Sequence, residues 1–194
     1  YSMHPLIAKV TSVNWLDGKR LADFSLDVAV ANQQILESRP TLTFITTPNN
    51  PTGSVVKISE IAELAKATGS VGGLLVVDEA YAEFSSEVSA ATLITQYPNV
   101  IVIRTMSKAF AFAGARLGYL IADPAVIQAL QLVRLPYHLS AITQAVAEVA
   151  LSFSDELLAG VDTLIAQREI VQTELTKLGL TVTPSAANFL LFSG

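Results

Sequence analysis

Three short apolar runs, each of strand length and each breaking abruptly into polar groups, organise the middle of the chain. Thr41-Leu-Thr-Phe-Ile-Thr-Thr47 gives way to Pro48-Asn49-Asn50-Pro51-Thr52-Gly53, Gly73-Leu-Leu-Val-Val77 to Asp78-Glu79-Ala80-Tyr81, and Val100-Ile-Val-Ile103 to Arg104-Thr105-Met106-Ser107-Lys108. Runs that stay apolar at successive positions suit strands buried on both faces, as in the centre of a parallel sheet. Helical patterns lie between and after them. Glu60-Ile-Ala-Glu-Leu-Ala-Lys-Ala-Thr68 reads as a crossover helix, with Ser59 as its N-cap and Gly69 closing it. Pro124 suits the first position of a helix continuing through Val133, and Asp17-Gly18 marks a turn. Leu158, Val161, Leu164, Ile165, Arg168, Val171, Leu175 and Leu178 recur at three- and four-residue steps, which predicts a long helix from about Asp155 to Leu178, ended by Gly179.

Strand and helix patterns that alternate in this way predict an α/β fold, with a mainly parallel, doubly wound sheet and helices on both faces. The expected division is a large domain over residues 1–154, a linking helix over 155–179, and the start of a smaller α/β domain over 180–194. No internal repeat or low-complexity tract interrupts this plan.

Composition narrows the function classes. With 194 residues, 51% of them hydrophobic, the chain can bury a core, while a formal net charge of −5 leaves no basic surface bias for nucleic acid. The absence of cysteine excludes a disulfide scaffold, a cysteine nucleophile and a thiolate metal site. Only His4 and His138 could serve as imidazole ligands, too few for a histidine-rich metal centre, and no metal is expected. No uninterrupted apolar stretch reaches the roughly 18 residues of a membrane span, and Tyr1-Ser-Met-His-Pro5 does not form a signal peptide. A cytoplasmic protein without a membrane partner is expected.

Ligands of parallel α/β sheets collect at the carboxyl ends of the strands. That edge receives Asn50 from the first run, Asp78 and Tyr81 from the second, and Lys108 from the third. A lysine amine over such a crevice can condense with an aldehyde. Each feature has an ordinary alternative: a Pro-Asn-Asn-Pro-Thr-Gly turn, a helix N-cap at Asp78, a solvated surface lysine. Three consecutive strand ends that deliver such groups to one edge favour a single site.

Asn50-Pro-Thr-Gly53, Asp78-x-x-Tyr81, Ser107-Lys108 and Arg116, in this order and spacing, resemble the fold-type I pyridoxal-phosphate aminotransferases over nearly the whole chain. Tyr1-Ser-Met3, Val77-Asp-Glu-Ala-Tyr81, Arg104-Thr-Met-Ser-Lys-Ala-Phe110 and Leu135-Pro-Tyr-His-Leu-Ser140 further resemble the histidinol-phosphate aminotransferase branch. The resemblance implies pyridoxal 5'-phosphate as cofactor, bound covalently by Lys108, which also carries the proton. Asp78 would then pair with the pyridine nitrogen, Asn50 and Tyr81 with the phenolic oxygen, and Tyr1 would stack on the ring unless it frays. Thr105, Ser107 and Arg116 fit a phosphate cup, two hydroxyls and a guanidinium fork, although Arg116 also suits an ordinary surface cation. Tyr137, His138 and Asn188 lie near the rim that the resemblance implies and are left out of the site.

The implied reaction moves the amino group of L-histidinol phosphate to 2-oxoglutarate, giving imidazole-acetol phosphate and glutamate, in a homodimer. An aromatic-amino-acid aminotransferase or a threonine-phosphate decarboxylase would share every cofactor residue. A cofactor-sensing regulatory domain is the non-enzymatic alternative, marked by an upstream helix-turn-helix. The start without Met and the end in a strand-like segment lead to the expectation of a longer protein. Its front would add a glycine-containing phosphate loop, and its back an arginine for the substrate's acidic group.

Overall fold

A computed structural model describes residues 1–194. Strands β1 (Leu42–Thr46), β2 (Leu74–Asp78), β3 (Val100–Thr105) and β4 (Gly118–Ala122) form one sheet in the order β1-β2-β3-β4. The first three are parallel, as their apolar runs predict, whereas β4 runs antiparallel to β3. The short link explains the reversal. Residues 106–117 contain a single 3-10 turn, Ala113–Ala115, and no crossover helix of the kind a parallel return needs.

Leu75, Val77, Val100 and Val102 point to one face of the sheet, where they pack with Ile35, Val56, Ile61, Leu64 and Ala65. These last come largely from α2 (Val28–Ser38) and α3 (Ile58–Ser70), and burying each large side chain contributes about 2 kcal/mol. Val76 and Ile101, one residue out of phase, are buried as well, so the inner strands are covered on both faces.

Details at helix ends differ from the sequence expectation. Helix α3 begins at Ile58, so Ser59 lies inside it and Lys57 is the N-cap; the Glu60 carboxylate accepts the Lys57 N–H at 2.7 Å. The carboxylate of a first-turn glutamate outcompeted the serine as starting signal. Gly69 also lies inside the helix, and it is Gly72, at φ +81°, that takes the left-handed conformation after its end. Asp17-Gly18 makes no turn. Asp17 instead accepts the Trp15 indole N–H, and the chain turns at Ala22–Asp23, where Asp23 binds Ser25.

Helix α1 (Met3–Val10) precedes the sheet, and α4 (Pro124–Val133) follows it, opened by Pro124 with Asp123 accepting the Ala125 N–H. Then come α5 (Ala141–Ser152) and α6 (Ser154–Lys177). Only part of the α6 stripe is buried: Val161 is in a cluster with Tyr81, Phe84, Ala109 and Ala187, flanked by Leu158 and Ile165. Leu164, Val171 and Leu178 are exposed. A two-stranded antiparallel hairpin, β5 (Thr181–Thr183) and β6 (Leu191–Ser193), ends the chain. No helix is long and apolar enough to cross a membrane.

Candidate active site

Thr46, Asp78 and Ile103 stand level across β1, β2 and β3, at the carboxyl edge of the parallel strands. Around them opens a cleft of about 390 Å³. All eight residues singled out in the sequence line it: Tyr1, Asn50, Asp78, Tyr81, Thr105, Ser107, Lys108 and Arg116. Tyr137, His138 and Asn188 do not, and Tyr137 is wholly exposed.

The loop after β1 is self-braced. Asn49 is buried and bonded to the Thr46 and Thr52 hydroxyls, which leaves its neighbour Asn50 free to turn toward the cleft and donate to the Tyr81 phenol oxygen at 3.1 Å. Asp78 ends β2. Its Oδ1 accepts the Ala80 N–H at 3.1 Å, a short Asx turn rather than a helix cap, and its Oδ2 lies 3.3 Å from His4 Nε2. After β3, the Thr105 and Ser107 hydroxyls bond each other, and Thr105 Oγ1 also accepts the Ser107 N–H at 3.1 Å. Lys108 follows, its Nζ 5.6 Å from the centre of the Tyr81 ring. Arg116, in left-handed conformation at φ +55°, closes the link into β4. Neither Lys108 nor Arg116 has an acidic partner within ion-pair distance.

The donor set is therefore divided in space and chemistry. A carboxylate stands at one strand end, an amine and an amide–phenol pair stand beside it, and two hydroxyls with an unpaired guanidinium stand at the neighbouring loop. That combination fits a flat heteroaromatic ring carrying an aldehyde, a phenolic oxygen and a phosphate.

The family model for aminotransferase class I and II matches residues 1–194. The chain belongs to this aminotransferase family. It is 55% identical over 193 residues to a histidinol-phosphate aminotransferase of Mycobacterium sp. (strain JLS), covering 99% of this chain and 51% of that protein. The namesake enzyme of Nocardia farcinica (strain IFM 10152) is 56% identical, with 99% and 49% covered. The chain thus spans about half the length of the curated relatives it matches. Among solved structures, histidinol-phosphate aminotransferase from Sinorhizobium meliloti in complex with pyridoxal-5'-phosphate superposes with a TM-score of 0.90 at 28% identity, over 99% of this chain and 52% of that one.

Two features of this cleft escaped the sequence. In the sequence His4 stands out only as a possible imidazole ligand for a metal, yet its ring packs between Tyr1 and Phe44, at 5.3 and 4.8 Å between centroids, and reaches Asp78. No local pattern marks it, because Phe44 and Asp78 are remote in the chain. The second is an ion-pair lock behind the motif residues. Glu79, nearly inaccessible, accepts from Ser89 Oγ, the Ala90 N–H, and Arg104 Nε and Nη2, the last at 2.7 Å. Arg104 Nη1 also lies 3.3 Å from Glu83 Oε1.

The two acids of the lock are not equivalent. Burial is the largest influence on the Glu83 carboxyl and pushes it above the ordinary glutamate range, against the opposing pull of its own backbone N–H and of Arg104. Glu79→Gln is expected to cost about 3 kcal/mol, because it strips Arg104 of its main partner. Glu83→Gln should change stability at neutral pH by less than about 1 kcal/mol. A raised folded-state value means that Glu83 favours folding below its ordinary range and loses that contribution as pH rises through the raised value. Relative to the parent, Glu83→Gln should therefore fare better near neutrality than in acid. Urea unfolding of both variants at two pH values tests the ordering.

Proposed function

We propose that this chain is the cofactor-binding part of a pyridoxal 5'-phosphate-dependent enzyme that transfers the amino group of L-histidinol phosphate to 2-oxoglutarate in histidine biosynthesis. The observation that carries the proposal is the meeting of Lys108, Asp78 and the Thr105–Ser107–Arg116 group in one cleft. Similarity to proteins named for this reaction, across 99% of the chain, supplies the substrate.

When bound, pyridoxal 5'-phosphate supplies an aldehyde that takes up amines and a ring that accepts the electron pair released at the substrate carbon. The chain's own residues do the rest. Lys108 Nζ would hold the cofactor covalently and, as the one lysine amine lining the cleft, would take the proton from the substrate carbon and give it back later in the transfer. Asp78, oriented by His4 and the Ala80 N–H, would be the acidic partner of the ring nitrogen and would favour its protonated form. Asn50 and Tyr81, already bonded to each other, would donate to the phenolic oxygen. Thr105, Ser107 and Arg116 would anchor the phosphate, and Tyr1, which lines the same cleft, would pack on the ring. Storage of the amino group between two half-reactions gives a ping-pong course.

The proposal extends to organisation: residues 1–154 form a large domain, 155–179 a linking helix, and 180–194 the start of a small domain, in a cytoplasmic homodimer. A surface for the second subunit is offered by Leu132, Leu135, Tyr137 and Ile142, all strongly exposed.

The test is a single-turnover half-reaction on the full-length protein loaded with cofactor, given L-histidinol phosphate or an aromatic amino acid separately, with the visible absorbance of the cofactor followed. Rapid change with histidinol phosphate alone is the expected result. Change only with the aromatic amino acid overturns the substrate, and no change with either overturns the reaction.

A further inference from the structure

The loop between β5 and β6 reaches back to the site at two points. The Ala186 N–H donates to the Gly53 carbonyl at 2.9 Å, and the Phe189 ring meets the Tyr81 ring edge-on, with centroids 5.1 Å apart. Gly53 marks how close the approach is. At φ +72°, it leaves so little space that a Cβ would stand 2.1 Å from Ser185 Oγ. Gly53 belongs to the segment that carries Asn50, and Asn50 is bonded to Tyr81. One loop therefore holds both sides of the Asn50–Tyr81 hydrogen bond.

What holds the loop is partly its own: Ser185 Oγ donates to the Phe189 carbonyl at 2.7 Å and accepts the Ala187 N–H at 3.1 Å. The remaining tie comes from the long helix. Arg168 Nη1 donates to the Ala187 carbonyl at 2.8 Å, and Ala187 is fully buried beside Tyr81 and Val161. Arg168 occupies a position on the apolar stripe of α6 where a leucine would continue the pattern, and its side chain is only 11% exposed. Taking a guanidinium this far out of water is costly unless its hydrogen bonds are specific. Its other partner, Glu169, is its exposed sequence neighbour, so the bond to Ala187 is the one that reaches beyond the helix.

We infer that Arg168 is a positioning residue for the Asn50–Tyr81 pair, acting through the loop of residues 185–189; its effect on cofactor binding presupposes the function proposed above. Full-length protein labelled with 3-fluorotyrosine, the Tyr81 resonance assigned through Tyr81→Phe, is compared with Arg168→Met and Arg168→Lys. Arg168→Met is expected to move the Tyr81 resonance, to speed hydrogen exchange at the Ala186 N–H, and to weaken pyridoxal 5'-phosphate binding about tenfold. Arg168→Lys keeps a charged donor for one carbonyl and should restore most of each signal. A folded Arg168→Met protein with the Tyr81 resonance and the Ala186 exchange rate unchanged overturns the inference. If that variant does not fold, Arg168→Leu, which continues the apolar stripe of α6 and has no N–H donor for the Ala187 carbonyl, is read by the same two signals, and unchanged values again overturn it. Both signals are taken without cofactor. A parent protein that binds no pyridoxal 5'-phosphate would refute the proposed function, while these two signals would still decide the role of Arg168.

Discussion

Replacing Lys108 by alanine is expected to slow the half-reaction by about 10⁴-fold or more and to abolish covalent fixation of cofactor by borohydride. The size of the effect follows from the lack of a substitute. Of the other cations lining the cleft, Arg104 is held by Glu79 and Glu83, and a guanidinium such as Arg116 does not give up its proton at working pH. No second lysine lines the cleft. Cofactor affinity, measured separately by equilibrium dialysis, should fall much less than the rate, since Thr105, Ser107 and Arg116 remain. A Lys108→Ala protein that keeps a tenth of the parent rate would remove this residue from the proton transfer.

Asp78→Asn comes second, with about a 10³-fold loss in the rate of proton removal from the substrate carbon. The amide is nearly the same shape and can still accept the Ala80 N–H, so the loss isolates the charge. His4→Phe provides the companion measurement. A phenyl ring keeps the packing between Tyr1 and Phe44 but has no nitrogen for Asp78, and the expected loss is only about tenfold. Deuterium substitution at the substrate carbon identifies the step affected. A parent-like isotope-sensitive rate in Asp78→Asn would sink the role assigned to the carboxylate.

The inner strands β2 and β3 and their polar ends were legible because strands covered on both faces are apolar at nearly every position, so Asp78 and Lys108 stand out as interruptions; β1, at the sheet edge with Leu42 exposed, was legible mainly through the polar turn after it. The direction of β4 was not, because Gly-Tyr-Leu-Ile-Ala reads as a strand either way and only the length of the preceding link decides. The ends of α3 were misplaced for a related reason. Ser59 and Gly69 are good capping types, but backbone geometry puts the caps at Lys57 and Val71, with left-handed Gly72 just beyond, which composition does not reveal. His4 and Asp78 are far apart in sequence, and their contact depends on where α1 lies against β1 and β2. Glu79 and Arg104 sat inside recognisable motifs without a role, since their bond forms between the residue just past β2 and the end of β3. Arg168 passed for a member of an apolar stripe because its stem follows the helical period and its purpose appears only once Ala187 is placed beside it.

The antiparallel return of β4 divides the site by chain distance. Thr105, Ser107, Lys108 and Arg116 all belong to one hairpin, joined through residues 106–117, whereas Asn50, Asp78 and Tyr81 meet them only after two crossovers have closed. Closing a short hairpin loop costs less chain entropy than bringing distant strands into parallel register. On the proposed function, the end of the pocket that would grip an anion is expected to assemble early and locally, and the end that would discriminate a pyridine ring to assemble late. A refolding chain should gain affinity for inorganic phosphate before it can tell one phosphorylated ligand from another.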